Sequence, residues 1–234
     1  MRTHENHKTR TLWLCGALHA FTHVYQVALL PLYLPIQQDL QLATVGKATL
    51  LVTVMMVSYF IPSYGMGVLA DHVSRRKLLG LGLAINALGF VGLSLAPNYP
   101  LALACVAISG IGGSAFHPAA TAMVARLFPI GTGKALGLLG IGASVGFFLG
   151  PIYTGWRAET AGWRAPVLEL GLLGLLGAIL FAWLAANLFL GSQICWVLRP
   201  FLWDPNRPEE FIGPEGLSGS FFETVFEALR RLVM

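Results

Sequence analysis

His19 and His23 stand four residues apart inside a charge-free apolar run, Thr11–Gln38, with Tyr25 and Gln26 just beyond them. Residues four apart share one face of a helix. Polar side chains are costly in a membrane-spanning helix and face a bundle interior or an aqueous cavity. Such a histidine pair can line a pathway for protons or substrate. It can also hold a metal ion, or bond to neighbouring helices and hold the bundle together. No third ligand lies nearby in sequence, and no metal is expected. A third histidine, His117, precedes Pro118 in another apolar run. The proline frees a backbone carbonyl and the histidine adds a titratable group. His19 and His117 each lie about eight residues from the same end of their segments, roughly 12 Å deep at 1.5 Å per residue. They can therefore face one cavity, or be satisfied separately by neighbours. No nucleophile–base pair, metal-ligand spacing or phosphate-binding loop is present, so an enzyme is not expected and no cofactor is implied.

The elements that carry these residues follow from composition. The chain has 234 residues, 56% hydrophobic and only 11% charged, with a mean hydropathy of +0.68. Soluble domains carry about 25% charged residues, so the lipid bilayer is the expected surrounding. Charge-free runs cover Thr11–Gln38, Ala48–Ala70, Leu78–Ala125, Ala135–Trp156 and Leu170–Leu198. A crossing takes roughly 20 apolar residues. The third run is long enough for two crossings, and Pro97-Asn98-Tyr99-Pro100 breaks it where a turn belongs. The expected fold is an all-α membrane protein with six transmembrane helices, near Thr11–Leu34, Gly46–Ala70, Lys77–Ala96, Leu101–Ala125, Ala135–Thr154 and Pro166–Leu190. The first run exceeds the apolar core of a signal peptide and is read as retained.

Charge placement orients the bundle. With the N-terminus inside, every Lys and Arg except Lys47, Arg157 and Arg164 falls on the inner side, which places both termini in the cytoplasm. The net charge of +4 follows from this bias and calls for no nucleic acid. Cys15, Cys105 and Cys195 are far apart and read as free, apolar-like thiols. Trp156 and Trp163 fit an outer aromatic belt. Glu169, in the first turn of the sixth segment, suits the helix dipole or a coupling-ion site. Residues 1–10 read as a cytoplasmic tail, 11–190 as the bundle, and 191–234 as a second cytoplasmic tail. There Ser220 and Glu223 resemble a capping box, and Phe222, Val225, Phe226, Leu229 and Leu232 predict a short amphipathic helix over about 220–233.

Between the second and third segments stands Gly67-Val-Leu-Ala-Asp71-His-Val-Ser-Arg75-Arg76-Lys77. This stretch resembles the signature loop of major facilitator superfamily transporters, Gly-x-Leu-Ala-Asp-(basic)-x-Gly-Arg-(basic). Gly67, Asp71, Arg75 and Arg76 match, His72 replaces a basic residue and Ser74 a glycine. In the fifth segment, Gly137, Gly146, Gly150, Pro151 and Gly155 resemble the glycine-proline pattern of the superfamily's antiporters, with Thr154 in place of one glycine. Together with His19 and the run Gly110-Ile-Gly-Gly-Ser-Ala-Phe-His117-Pro118, the chain resembles the fosmidomycin-resistance type of exporter over about residues 11–190. The resemblance implies proton-driven export of a small-molecule substrate, in a cell membrane of the bacterial inner type. His23 stands where it would place an acidic group, which leaves His23, His19 or His117 as the implied proton carrier. It also implies twelve helices in two halves. Six helices make one half, built of 3+3 inverted repeats, and a homo-oligomer or a second transporter half is expected as partner. The alternative is a membrane scaffold or regulatory protein that does not transport, or a truncated transporter remnant.

Overall fold

The computed structural model describes residues 2–202, and side chains over 8–184. All regular structure there is helical: α1 (Arg2–Val27), a 3-10 turn (Leu30–Leu32), α2 (Tyr33–Asp39), α3 (Val45–His72), α4 (Arg75–Leu95), α5 (Tyr99–Gly113), α6 (Phe116–Leu127), α7 (Thr132–Ala161) and α8 (Arg164–Leu202). Residues Leu12–Ile179 form one compact unit, and the bundle below is that unit. A second unit takes in the first eleven residues and those from Leu180 on. Its described part is the first turns of α1 and the far end of α8.

Five helical stretches are long and apolar enough to cross a membrane: Val45–His72, Arg75–Leu95, Tyr99–Leu127, Thr132–Ala161 and Arg164–Leu184. The first segment is not among them, because His19, His23 and Gln26 dilute its apolar run. Its boundaries also differ from expectation. The predicted N-terminal tail is helical from Arg2, with no proline to stop it. At its other end α1 stops at Val27 rather than Leu34. Pro31 has no N–H for the Val27 carbonyl. The Ala28 carbonyl accepts from the Thr154 hydroxyl at 2.8 Å instead, and Leu32 N–H turns back to Leu29 at 3.1 Å.

The other turns follow local chemistry. Asn98 caps α5 by accepting from Leu101 N–H at 3.0 Å, with Pro100 in the first turn. Gly162 ends α7 at φ +76°, a backbone region that suits glycine. As a result α7 runs on through Ala161, past Thr154, the expected end of the fifth segment, and residues 155–161 are helical. Likewise α8 continues past Leu190 to Leu202. The amphipathic helix expected near 220–233, with Ser220 and Glu223, lies outside the described residues.

Small residues set the packing. A Cβ added at Gly112 would lie 2.3 Å from Asn86 N, and one at Gly89 would lie 2.6 Å from Ser109. Thus α4 and α5 touch backbone to backbone. In this seam Ser109 donates to Asn86 Oδ1 at 2.6 Å, and both residues are buried. Cys15 and Cys105 are buried free thiols, as their apolar settings suggested.

Ion pairs tie the end of the bundle near Asp39. Arg164 reaches Asp39 at 2.8 Å and donates to the Ser94 carbonyl at 2.8 Å, while Trp163 Nε1 donates to Asp39 at 3.1 Å. Trp163 is therefore buried against this network and is no belt residue, whereas Trp156 is 63% exposed. Glu169 pairs with Arg157 at 2.8 Å and accepts from the Tyr153 hydroxyl. These contacts commit its carboxylate to joining α7 and α8.

Candidate functional site

The three histidines of the apolar segments come together. The His19 and His117 ring centroids are 5.1 Å apart, and those of His23 and His117 are 5.6 Å apart. One ring nitrogen from each of the three lies within 4.8 Å of the others. His19 and His23 are buried, and His117 is half-buried.

Each histidine is placed by a backbone feature. Pro118 cannot donate to the Ser114 carbonyl, so the helix breaks after Gly113 and restarts at Phe116 with the proline in its first turn. The freed Ser114 carbonyl accepts from Ser63 Oγ on α3 at 3.4 Å. His117 thereby sits in the first turn of α6, and Phe116 stacks on His19 with centroids 4.8 Å apart. Gly142, Gly146 and Gly150 of α7 lie along α1. A Cβ on Gly142 would sit 2.1 Å from the Gly16 carbonyl oxygen, and one on Gly146 would sit 2.3 Å from that of Ala20. Spacings of four put small residues on one helix face and let backbones approach. That approach brings the Leu139 carbonyl within 2.8 Å of His19 Nδ1. On the far side, Gly110 and Gly113 seat α3 against α5; a Cβ on Gly113 would press on the Tyr59 ring at 2.9 Å. Tyr59 thereby faces His117 edge-on at 6.1 Å.

Counting protons defines what the site can do. A carbonyl only accepts, so His19 donates from Nδ1 to Leu139. Gln26 Oε1 faces His23 Nδ1 at 2.7 Å, so His23 also donates from Nδ1. The two Nε2 atoms lie 3.0 Å apart. If both rings are neutral, two bare lone pairs face each other across that gap. One cation between them removes the conflict. A proton does so by making an N–H···N bond within an imidazolium–imidazole pair. With the Gln26 amide turned over, its NH2 donates to His23 Nδ1 and the neutral pair is satisfied. The amide orientation is thus tied to the charge of the pair.

Other predicted residues sit elsewhere. Tyr25, expected beside the histidines, is buried on another face of α1 and donates to the Leu170 carbonyl at 2.8 Å. Asp71 and Arg75 bridge the α3–α4 turn at 3.1 Å, with Arg75 largely covered and Asp71 exposed. Gly67 packs against Pro118, and Arg76 follows at the start of α4. Gly137 has open space around it, whereas Gly150 meets Val27 and Val24 and Gly155 meets Pro31. Sequence reasoning missed Gly142, whose signal is the four-residue spacing to Gly146 and Gly150. It also missed Tyr59, whose buried hydroxyl has no partner at hydrogen-bonding geometry, with Gln26 beside it. No sequence pattern marks that residue.

The bundle, the Gly67–Lys77 turn and the glycine seam now meet a family-level match. The model of the Major Facilitator Superfamily matches residues 12–233. The chain belongs to this superfamily. It is therefore a multi-pass membrane protein of a transporter family, not of an enzyme family. An uncharacterized MFS-type transporter of Bacillus subtilis is 27% identical over 75% of the chain and 40% of its own length. The multidrug resistance protein MdtH of Shigella dysenteriae is 28% identical over 51% of the chain and 28% of its own length. A bacterial homolog of the human lysosomal transporter Spinster, solved inward-facing and unoccupied, aligns with a TM-score of 0.64. It is 19% identical, over 76% of this chain and 43% of that one, and shares the fold. The chain thus spans less than half the length of these relatives.

Proposed function

We propose that this chain exports a small molecule in exchange for protons, with the His19–His23 pair as the proton site. The single observation that carries this reading is the pair of Nε2 atoms 3.0 Å apart, with His19 donating from Nδ1 to the Leu139 carbonyl and His23 Nδ1 facing Gln26 Oε1. Binding and releasing one proton there changes the charge between α1, α6 and α7 and reorients Gln26. A buried charge whose partners differ between its two states biases a two-state bundle. The multidrug resistance name of the Shigella relative favours export. The run Gly110–Pro118, which holds His117, favours the fosmidomycin-resistance type.

In this reading α1 supplies the sixth crossing, and the six segments act as one half with 3+3 inverted repeats. They work against a second half, from another copy of the chain or another polypeptide. The membrane is the bacterial cell membrane, with both termini cytoplasmic as the Lys and Arg distribution favours.

The test is proton flux. The chain is reconstituted in liposomes holding a pH-sensitive dye and challenged with a panel of small cationic, neutral and phosphonate compounds. Coupled transport makes at least one compound collapse an imposed pH gradient, and His23→Gln removes the response. A monodisperse chain that shows the same dye response with His23→Gln as without it contradicts the proton assignment. No response to any compound, from the chain alone or co-expressed with a second half, favours the scaffold alternative.

A further inference from the structure

We propose that His19, His23 and His117 form a three-imidazole binding site for a divalent late first-row transition ion, with Zn2+ or Co2+ as the ion to test. The site is the one read above as proton-binding. Metal binding rests on ring geometry, however, and stands whether or not the chain moves protons.

Two rings already present the ligand form. A metal-bound histidine donates its other ring N–H to an oxygen acceptor, which fixes its tautomer and aims its lone pair. His19 has this arrangement with the Leu139 carbonyl at 2.8 Å, and His23 has it with Gln26 Oε1 at 2.7 Å. Both Nε2 lone pairs consequently point into one gap 3.0 Å wide. Tetrahedral zinc with Zn–N bonds of about 2.05 Å spaces its nitrogens about 3.3 Å apart. The His19–His23 separation is close to that value. All three rings have a nitrogen within 4.8 Å of the other two, so a side-chain rotation of His117 completes the triangle. Its ring makes no hydrogen bond with the described residues, so none has to break.

The donor set selects the ion. Neutral imidazoles suit zinc, cobalt, nickel and copper, whereas magnesium and calcium take oxygen ligands. Among the described residues no carboxylate belongs to the cluster, which disfavours the hard ions. Three protein ligands leave a fourth position open to water or a small donor. The Tyr59 hydroxyl, buried and unpartnered, lies on the side where His117 meets α3. It can donate to a ligand held there.

The experiment is a Co2+ titration of the purified full chain in nanodiscs, followed by visible absorption and repeated with Zn2+ by calorimetry. One equivalent should bind with the intense bands of four-coordinate cobalt, and Zn2+ should displace it. His117→Gln and His23→Gln each remove a ligand and should weaken binding at least tenfold, with helicity checked by circular dichroism. Gln26→Leu should weaken it by on the order of 10–100-fold, as loss of outer hydrogen-bond partners does. Gln26→Glu should restore it. The other histidines, replaced together as His4→Gln, His7→Gln and His72→Gln, should leave the site intact. A six-coordinate cobalt spectrum, absence of saturable binding, or binding that survives His117→Gln and His23→Gln overturns the proposal. Metal binding without proton flux removes the transport reading and keeps this one; flux without metal binding does the reverse.

Discussion

Two buried polar clusters lie in this bundle, and they are built differently. Asn86 and Ser109 meet across the α4–α5 seam at 2.6 Å, one donating and the other accepting. Glycine backbones close around them. At His19, His23 and His117 the donors are spent on Leu139 and Gln26, and the lone pairs are left facing one another. Nearby the Tyr59 hydroxyl is buried without a partner. Burial alone therefore does not mark a site in a membrane bundle. What separates the clusters is whether the atoms that face each other are a donor and an acceptor or two acceptors. The facing atoms of the first are paired without a ligand, whereas those of the second are paired either by a cation between the Nε2 atoms or by turning the Gln26 amide over.

The strongest way to break both clusters is to part the helices that hold them. Gly146→Val places a branched side chain against the Ala20 carbonyl oxygen, and Gly112→Val places one against Asn86 N. Each should cost about 3 kcal/mol or more, since backbone must move. Loss of the monodisperse peak in size exclusion is the expected outcome; near-normal elution of Gly146→Val would show that α1 and α7 do not touch there.

The comparison sharpens when one cluster is altered at a time. Asn86→Ala leaves the Ser109 hydroxyl without its acceptor and opens space, at a cost of about 1–3 kcal/mol. The double variant Asn86→Leu with Ser109→Ala removes both partners and should recover much of that loss in thermal melts. His23→Gln is expected to behave in the opposite sense. Proton-linked flux disappears, while the melting temperature shifts by less than in Asn86→Ala. Equal destabilisation by both variants, with flux kept in His23→Gln, would make the histidines structural.

Smaller effects come from the contacts that position the site. Thr154→Val removes the hydroxyl that fills the Ala28 carbonyl and should cost about 1 kcal/mol, as an interhelical hydrogen bond does. Asp39→Asn weakens a pair whose side chains are 36% and 44% exposed. Discounted for solvent screening, this should cost well under 1 kcal/mol, measurable only as a small salt-dependent shift in melting.

Much of this was legible in the sequence, and the limits have physical causes. Charge-free runs and the Pro97–Pro100 turn located the helices, because the bilayer demands apolar length. The fourth segment, expected as one helix over Leu101–Ala125, is instead broken between Gly113 and Phe116; Pro118 carries the signal, because a proline cannot donate. The end of α1 was not legible, since Thr154 takes the Ala28 carbonyl from a helix more than a hundred residues away. The equal depth of His19 and His117 was readable by counting turns. Their direct ring contact was not, since it depends on how α6 restarts after the break. The Leu139 carbonyl, which fixes the tautomer of His19, is a backbone group and leaves no mark on residue type. Gly142 could have been found from its spacing to Gly146 and Gly150.

The most direct test is the nitrogen NMR spectrum of the chain with 15N-labelled histidine, metal-free in nanodiscs, assigned through His19→Gln and His23→Gln. The expected result is one proton shared between the two Nε2 atoms, with both Nδ1 atoms protonated, and a single step as that proton leaves. Gln26→Leu should alter that step. Two rings that titrate independently, each with one nitrogen bare throughout the neutral range and neither responding to Gln26→Leu, would contradict it.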